Sequence, residues 1–304
     1  MASIYYTGRT AYHAVWANKV RSGLTVLGVV IGITAIMLIV SIGEGAQSLI
    51  LGQIQGLGAE TIVLRPGHEP KGPTDFAQTL FSDSIKVREL EALRRKENAP
   101  DIVTLAPVVF VSESVSYQSE TFRPTIIGWV AEFMITMGNI ALERGTIFDE
   151  TDIRQDAPVA IIGAKVAEEL FDIEDPIGKA IRIKGKNFRV IGLLEEKGAG
   201  TFFNSNNLVI MPYTTAQTYL TGTNHFQEIM IRTGSPEEVT RTVSDIERTM
   251  RELHNITDPE KDDFYVETQQ GVIEQVGTIL TALTAFLSAV SAIALVVGGI
   301  GVMN

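Results

Sequence analysis

From Ser22 to Gly43 the chain runs 22 residues without a charge, bracketed by Arg21 and Glu44. As a helix, the apolar stretch Leu24–Ile42 is about 28 Å long, close to the roughly 30 Å hydrocarbon core of a bilayer. Twelve of its nineteen residues are Leu, Ile or Val. They supply on the order of −4 to −7 kcal/mol of gross insertion energy, which Gly28, Gly32, Thr25, Thr34 and Ser41 partly offset. Ser41 and Gly43 form a small-x-small site of the kind at which secretion signals are cut. A signal's apolar region usually runs about 7–15 residues, however, and this one is longer. A second uncharged stretch, Gln275–Asn304, closes the sequence. The chain reads as a membrane protein with two spans and a polar domain between them.

Charge sets the orientation. Before Ser22 stand Arg9, Lys19 and Arg21 and no acid, so the N-terminus is expected on the cytoplasmic side. The intervening residues hold 22 basic and 36 acidic side chains, a net charge of −14. Such a domain is unsuited to nucleic acid phosphates and is repelled by anionic headgroups. The expected division is a cytoplasmic segment at 1–21, a transmembrane helix at 22–43, an extracytoplasmic domain at 44–274 and a second transmembrane helix at 275–304. That second span lacks a basic stop signal, so the native chain is expected to continue past Asn304.

Both spans carry spacings that let helix backbones touch. Gly28 and Gly32 form one, and Ala285/Ala289 and Ser288/Ala292 repeat it; the competing reading is that small residues are simply common in such helices. A one-sided apolar stripe, Leu49, Ile50, Gln53, Ile54 and Leu57, extends the first helix outward to about Gly58. Val272, Ile273 and Val276 lead into the second, so the domain is expected to stand on helical stalks.

The outside domain reads as mixed α+β, in one lobe or two. Short β-branched runs predict strands at Thr61–Arg65, Asp101–Tyr117, Thr125–Trp129, Val159–Gly163, Ile181–Leu194, Asn207–Pro212, Glu228–Thr233 and Phe264–Thr268. A hairpin turn is expected within Lys184–Asn187. Helices are expected at Ser84–Lys96, Ala164–Phe171 and Pro236–His254. Ser235, Pro236 and Glu238 make an S-x-x-E box at the start of the last. In the loop Glu196–Asn207, Phe202 and Phe203 are a candidate partner-docking tip; the alternative is that the pair folds back onto the core.

Catalytic chemistry is not legible. There is no cysteine, which removes thiol nucleophiles, disulfides and Cys-ligated metals. The histidines at 13, 68, 225 and 254 read as scattered surface residues, and Asp258–Asp263 lacks the order of a calcium loop. No P-loop, dinucleotide fingerprint or G-x-S-x-G elbow occurs. The chain is read as non-catalytic, with no cofactor of its own.

Several stretches together resemble the MacB-type permease family of ABC transporters. They are "ANKVRSGLTVLGVVIGITAIMLIVSIGEGAQ" at the first span, "AETIVLRPG" (Ala59–Gly67) and the region Leu142–Gly198. The last contains "DPIGK" and "IKGKNFRVIG", and "VVGGIGVMN" follows at the end. The likeness implies an amphipathic cytoplasmic helix before the first span, two further spans, a cytosolic ATPase and dimerisation with a second permease copy or homologue. An envelope adaptor is implied as a further partner. It also implies residence in the bacterial cytoplasmic membrane and ATP-driven movement of the outside domain for efflux or for lipoprotein or peptide export. Met1–Arg21 leaves no room for a fused ATPase, so a separate subunit is expected. A membrane-anchored regulatory or binding module without transport is the alternative.

Overall fold

The computed structural model describes residues 58–68, 82–136, 140–197 and 205–303, with further positions between Lys19 and Gly45. Side chains at 287, 288, 291, 294, 295 and 297–303 fall outside that description. The chain divides into two compact units, Gln53–Val272 and the pair of segments Met1–Gly52 and Ile273–Asn304.

The larger unit is built on one continuous sheet. In chain order its elements are β1 (Thr61–Pro66), α1 (Val87–Arg94), β2 (Ile102–Val111), β3 (Val115–Tyr117), β4 (Glu120–Phe122), β5 (Thr125–Trp129) and α2 (Ala131–Thr136). Next come β6 (Leu142–Gly145), α3 (Glu150–Arg154), β7 (Val159–Ile162), α4 (Ala164–Phe171), β8 (Ala180–Ile183), β9 (Lys186–Leu194), β10 (Leu208–Pro212) and α5 (Tyr213–Ala216). The unit ends with β11 (Glu228–Thr233), α6 (Val239–His254) and β12 (Phe264–Thr268), after which α7 (Gln269–Met303) begins. The strand order is β12-β1-β11-β2-β5-β10-β7-β9-β8-β3-β4, with β6 on β9.

β2 divides the sheet into two lobes. Its residues Ile102–Val108 pair with β11, and Val109–Val111 pair with β5. On one side, β1-α1-β2 and β11-α6-β12 form a four-stranded antiparallel sheet with helices on one face, the split βαβ arrangement. Everything from β3 to α5 is inserted between β2 and β11 as a second, mixed lobe. There β10 runs parallel to β5 and β9 parallel to β7.

Alternation explains why the inner strands are apolar throughout. On β7, Ala160 and Ile162 enter one core and Val159 and Ile161 the other. On β10, Val209 and Met211 are divided from Leu208 and Ile210 in the same way. A sheet covered on both faces needs side chains of this kind at every position. α1, α4 and α6 cover the first face through Leu90, Leu93, Val166, Leu170, Ile246 and Met250. α2 covers the second through Phe133 and Met134.

The strands expected at Thr125–Trp129, Glu228–Thr233 and Phe264–Thr268 are observed with those bounds. The stretch expected as one strand over Asp101–Tyr117 is two, because the chain leaves the ladder after Val111. The hairpin turn is made by Lys184 and Gly185, both at positive φ (48° and 78°), the signature of a two-residue type I′ turn. The cap at Ser235 forms as expected, with the Ser235 N–H donating to Glu238 Oε2 at 3.1 Å. Of the helical stripe expected through Leu57, residues 49, 50, 53, 54 and 57 lie outside the described residues.

In the smaller unit, every described residue from Lys19 to Gly45 is helical, and α7 is a helix of 35 residues. A Cβ on Gly43 would sit 3.4 Å from Leu280 Cδ2, so the two helices meet there. Apolar side chains on both are exposed, among them Met37, Ile42, Ile279, Phe286 and Ile293. Among the described residues no helix is long and apolar enough to cross a membrane.

Candidate functional site

Within Leu142–Gly198, the longest stretch of the family likeness, the motif residues organise the second lobe. Gly145 and Gly192 are partners in the β6–β9 pairing. Gly145 has φ +90°, and a Cβ there would lie 2.2 Å from the Ile191 carbonyl oxygen. Phe148 and Phe188 are fully buried. In "DPIGK", the Asp175 carboxylate accepts the Ile177 N–H at 3.1 Å, and Gly178 takes φ +81°. Lys179 pairs with Glu174, whose other oxygen accepts from Tyr117 Oη at 3.1 Å.

Two charged constellations lie in the first lobe instead. On the face of its sheet away from α1 and α6, Arg65 of β1 reaches Glu228 of β11 at 3.0 Å and Glu267 of β12 at 2.7 Å. Burial works against the guanidinium, but the two carboxylates more than offset it and hold it protonated. Burial also pushes the Glu228 carboxyl up, and the attraction of Arg65 only partly opposes this. The arrangement is a cross-strand ladder.

The second constellation corrects an expectation. His254, read from sequence as a surface residue, has only 7% of its side chain exposed. Its Nδ1 lies 2.6 Å from Asp263 Oδ1, and its Nε2 lies 3.4 Å from Glu89 Oε1. α1 and α6 pack together, which brings Glu89 under the last turn of α6. Burial raises the Glu89 carboxyl, but Arg88 Nε at 2.7 Å and the Lys86 N–H at 2.8 Å outweigh it and lower its pKa. The described neighbours of the two imidazole nitrogens are carboxylates, and the group ties α1, α6 and the start of β12 together. Among the described residues, no cluster of three or more His, Asp or Glu is placed to hold a metal.

Of the helix-packing residues expected from sequence, Gly32 is half-buried, and Ala285, Ala289 and Ala292 are exposed. Gly28 and the Ser288 side chain lie outside the described residues, as do Phe202 and Phe203. The base of that Phe loop is described: Asn206 accepts the Lys197 N–H at 2.8 Å and donates to the Lys197 carbonyl at 2.7 Å. One side chain therefore closes both ends of the loop.

The family model described as the MacB-like periplasmic core domain matches residues 22–249. A macrolide export ATP-binding/permease protein MacB from Rhodospirillum rubrum is 34% identical over 95% of this chain and 43% of its own length. The corresponding MacB 2 protein of Aeromonas hydrophila subsp. hydrophila is 30% identical over 97% of this chain and 44% of its own. The chain thus spans less than half the length of the curated relatives it matches. The periplasmic region of MacB from Actinobacillus actinomycetemcomitans covers 75% of this chain and 97% of its own, with TM-score 0.62 and 19% identity. The extracellular domain of the ABC-type transporter YknZ from Gram-positive bacteria gives TM-score 0.54 and 20% identity, over 68% of this chain and all of its own. Both structures show a shared fold.

Proposed function

Because the chain belongs to the family that carries the MacB-like periplasmic core domain, we propose that it is the permease part of an ATP-driven exporter. In this reading, residues 22–43 and 275–304 cross the cytoplasmic membrane and the acidic unit between them is extracytoplasmic. A cytosolic ABC ATPase supplies the energy from a separate chain, and a second permease copy or homologue completes the assembly. An envelope adaptor is its external partner. Movement is passed along helices: α7 begins at the residue after β12, with no linker to absorb it.

The observation that carries the proposal is the extent of the relatives' likeness. It takes in 95–97% of this chain, which leaves too few residues unmatched for either apolar segment to fall wholly outside it, where an outer domain alone would match only the middle. No G-x-x-x-x-G-K-[ST] occurs within these residues, so in this reading they do not themselves bind ATP through a P-loop. The chain's own residues do no bond chemistry in this account.

The absence of native cysteine makes the topology testable. Single cysteines at Ala17 and Ser119 should differ in intact cells treated with a membrane-impermeant thiol reagent: Ser119→Cys is labelled and Ala17→Cys is protected. The opposite pattern would overturn the orientation. Retained partner binding by the soluble domain, with no dependence on any ATPase, would favour the anchored-module alternative.

A further inference from the structure

Among the described residues the sheet of the larger unit is open at its two ends, β4 and β12, and along β6, a four-residue strand paired only with β9. β4 is three residues long, too short to recruit another strand. β12 has five residues, no proline or lysine and no bulge, and its one charge, Glu267, is held by Arg65, so little in the strand itself guards the edge.

Its backbone polarity follows from the register. Gly67 N–H donates to the Asp263 carbonyl at 2.7 Å, and Arg65 stands opposite Tyr265 and Val63 opposite Glu267. Hydrogen-bonded pairs alternate in an antiparallel ladder. Arg65/Tyr265 and Val63/Glu267 are therefore the bonded pairs. Phe264, Val266 and Thr268 turn their N–H and C=O groups away from β1, and Pro66, which has no N–H, sits opposite Phe264 where none is needed.

A groove of about 390 Å³ runs beside this edge, and its lining includes His68, the acids Glu247, Glu260 and Asp262, and Tyr265 and Val266 of β12. Arg251 pairs with Asp262 at 2.7 Å and with Glu247 at 3.3 Å. Glu260 is exposed and has no ion-pair partner among the described residues. The groove carries more acidic than basic side chains, and among the described residues no strand pairs with the outward backbone donors and acceptors of β12.

We propose that the β12 edge is a strand-addition site for an extended segment of a partner protein that carries Lys or Arg at alternate positions. Main-chain bonds to Phe264, Val266 and Thr268 supply register and affinity, and alternate side chains supply specificity. On the α6 side of an added strand, every second side chain meets Glu247, Glu260 and Asp262. A second copy of this chain is a poor occupant, because two-fold pairing of β12 with itself would bring the two acidic linings together. The inference does not depend on the chain being an exporter, and its test involves no ATPase.

The test is fluorescence anisotropy on the full chain in detergent with a labelled peptide alternating lysine and valine. Controls are a glutamate/valine counterpart and the lysine peptide N-methylated at every second amide. Saturable binding of the lysine peptide is expected, lost at least about tenfold on N-methylation in one register and absent for the glutamate peptide. Glu260→Lys should weaken it several-fold. Val266→Pro, which removes an outward N–H without touching the β1 pairing, should weaken it about tenfold. Equal binding of the methylated and unmethylated peptides, or of the two charge types, overturns the proposal. So does a β12-dependent dimer in light scattering that excludes the peptide. The methylated peptide decides the matter even if Val266→Pro fails to fold.

Discussion

Arg65 answers two carboxylates from two other strands, and the three residues are not equivalent. Removing the guanidinium leaves Glu228, which is 13% exposed, facing a neutral neighbour. Breaking a buried pair in this way costs about 3–5 kcal/mol, and partial exposure of Arg65 brings the expected loss to about 2–3 kcal/mol for Arg65→Met. Glu228→Gln keeps Arg65 paired with Glu267 and relieves a carboxyl that burial already disfavours, so its cost should stay below about 1 kcal/mol. Urea unfolding of the two variants checks the asymmetry. Glu89 behaves differently. Its folded pKa is lowered, so its contribution is present above the unfolded carboxylate value of about 4.3 and is lost as pH falls through the folded value. The melting temperature should fall more steeply on acidification in the native chain than in Glu89→Gln. None of this was legible in sequence: Glu89, His254 and Asp263 are brought together only because α1 and α6 pack on the same face of the sheet.

At the scale of elements, the motif glycines divide into two kinds. Gly178 has φ +81° with open space within 4 Å of where a Cβ would stand, whereas Gly145 combines φ +90° with a 2.2 Å clash against backbone. Gly178→Ala should therefore cost only the conformational penalty, about 1–2 kcal/mol. Gly145→Ala cannot relax by moving a side chain, so it should lose more and release the β6–β9 pairing. Thermal melts with hydrogen exchange at Leu193 and Leu194 test both. Elements whose pattern was strong in the sequence formed as read. β10 and α4 were legible from apolar runs of the right length, and α6 from its capping box. β4 and β6 were not, since "ETF" and "LERG" carry no alternation; pairing with β3 and β9 makes them strands. The long run after Asp101 misled because its β-branched pattern continues across the point, after Val111, where the chain leaves the ladder before β3.

At the scale of the whole molecule, the split βαβ lobe receives both chain connections, and the second lobe is carried as an insertion between β2 and β11. That plan accounts for the sequence order, with strands of one sheet lying far apart along the chain. It also leaves β12 as the edge strand that runs directly into α7. The membrane reading, the acidic outer unit and the external energy source form a single account, and its central claim is mechanical: the outer unit moves when ATP is turned over elsewhere. The direct measurement is pulsed electron resonance on Ser119→Cys, spin-labelled in membranes of the native host, where the chain's own lack of cysteine keeps it free of other labels. The account predicts a distance distribution between paired copies that shifts on addition of MgATP and returns as the nucleotide is consumed. A distribution unchanged by MgATP, in membranes where ATP hydrolysis by the partner is measurable, would contradict it.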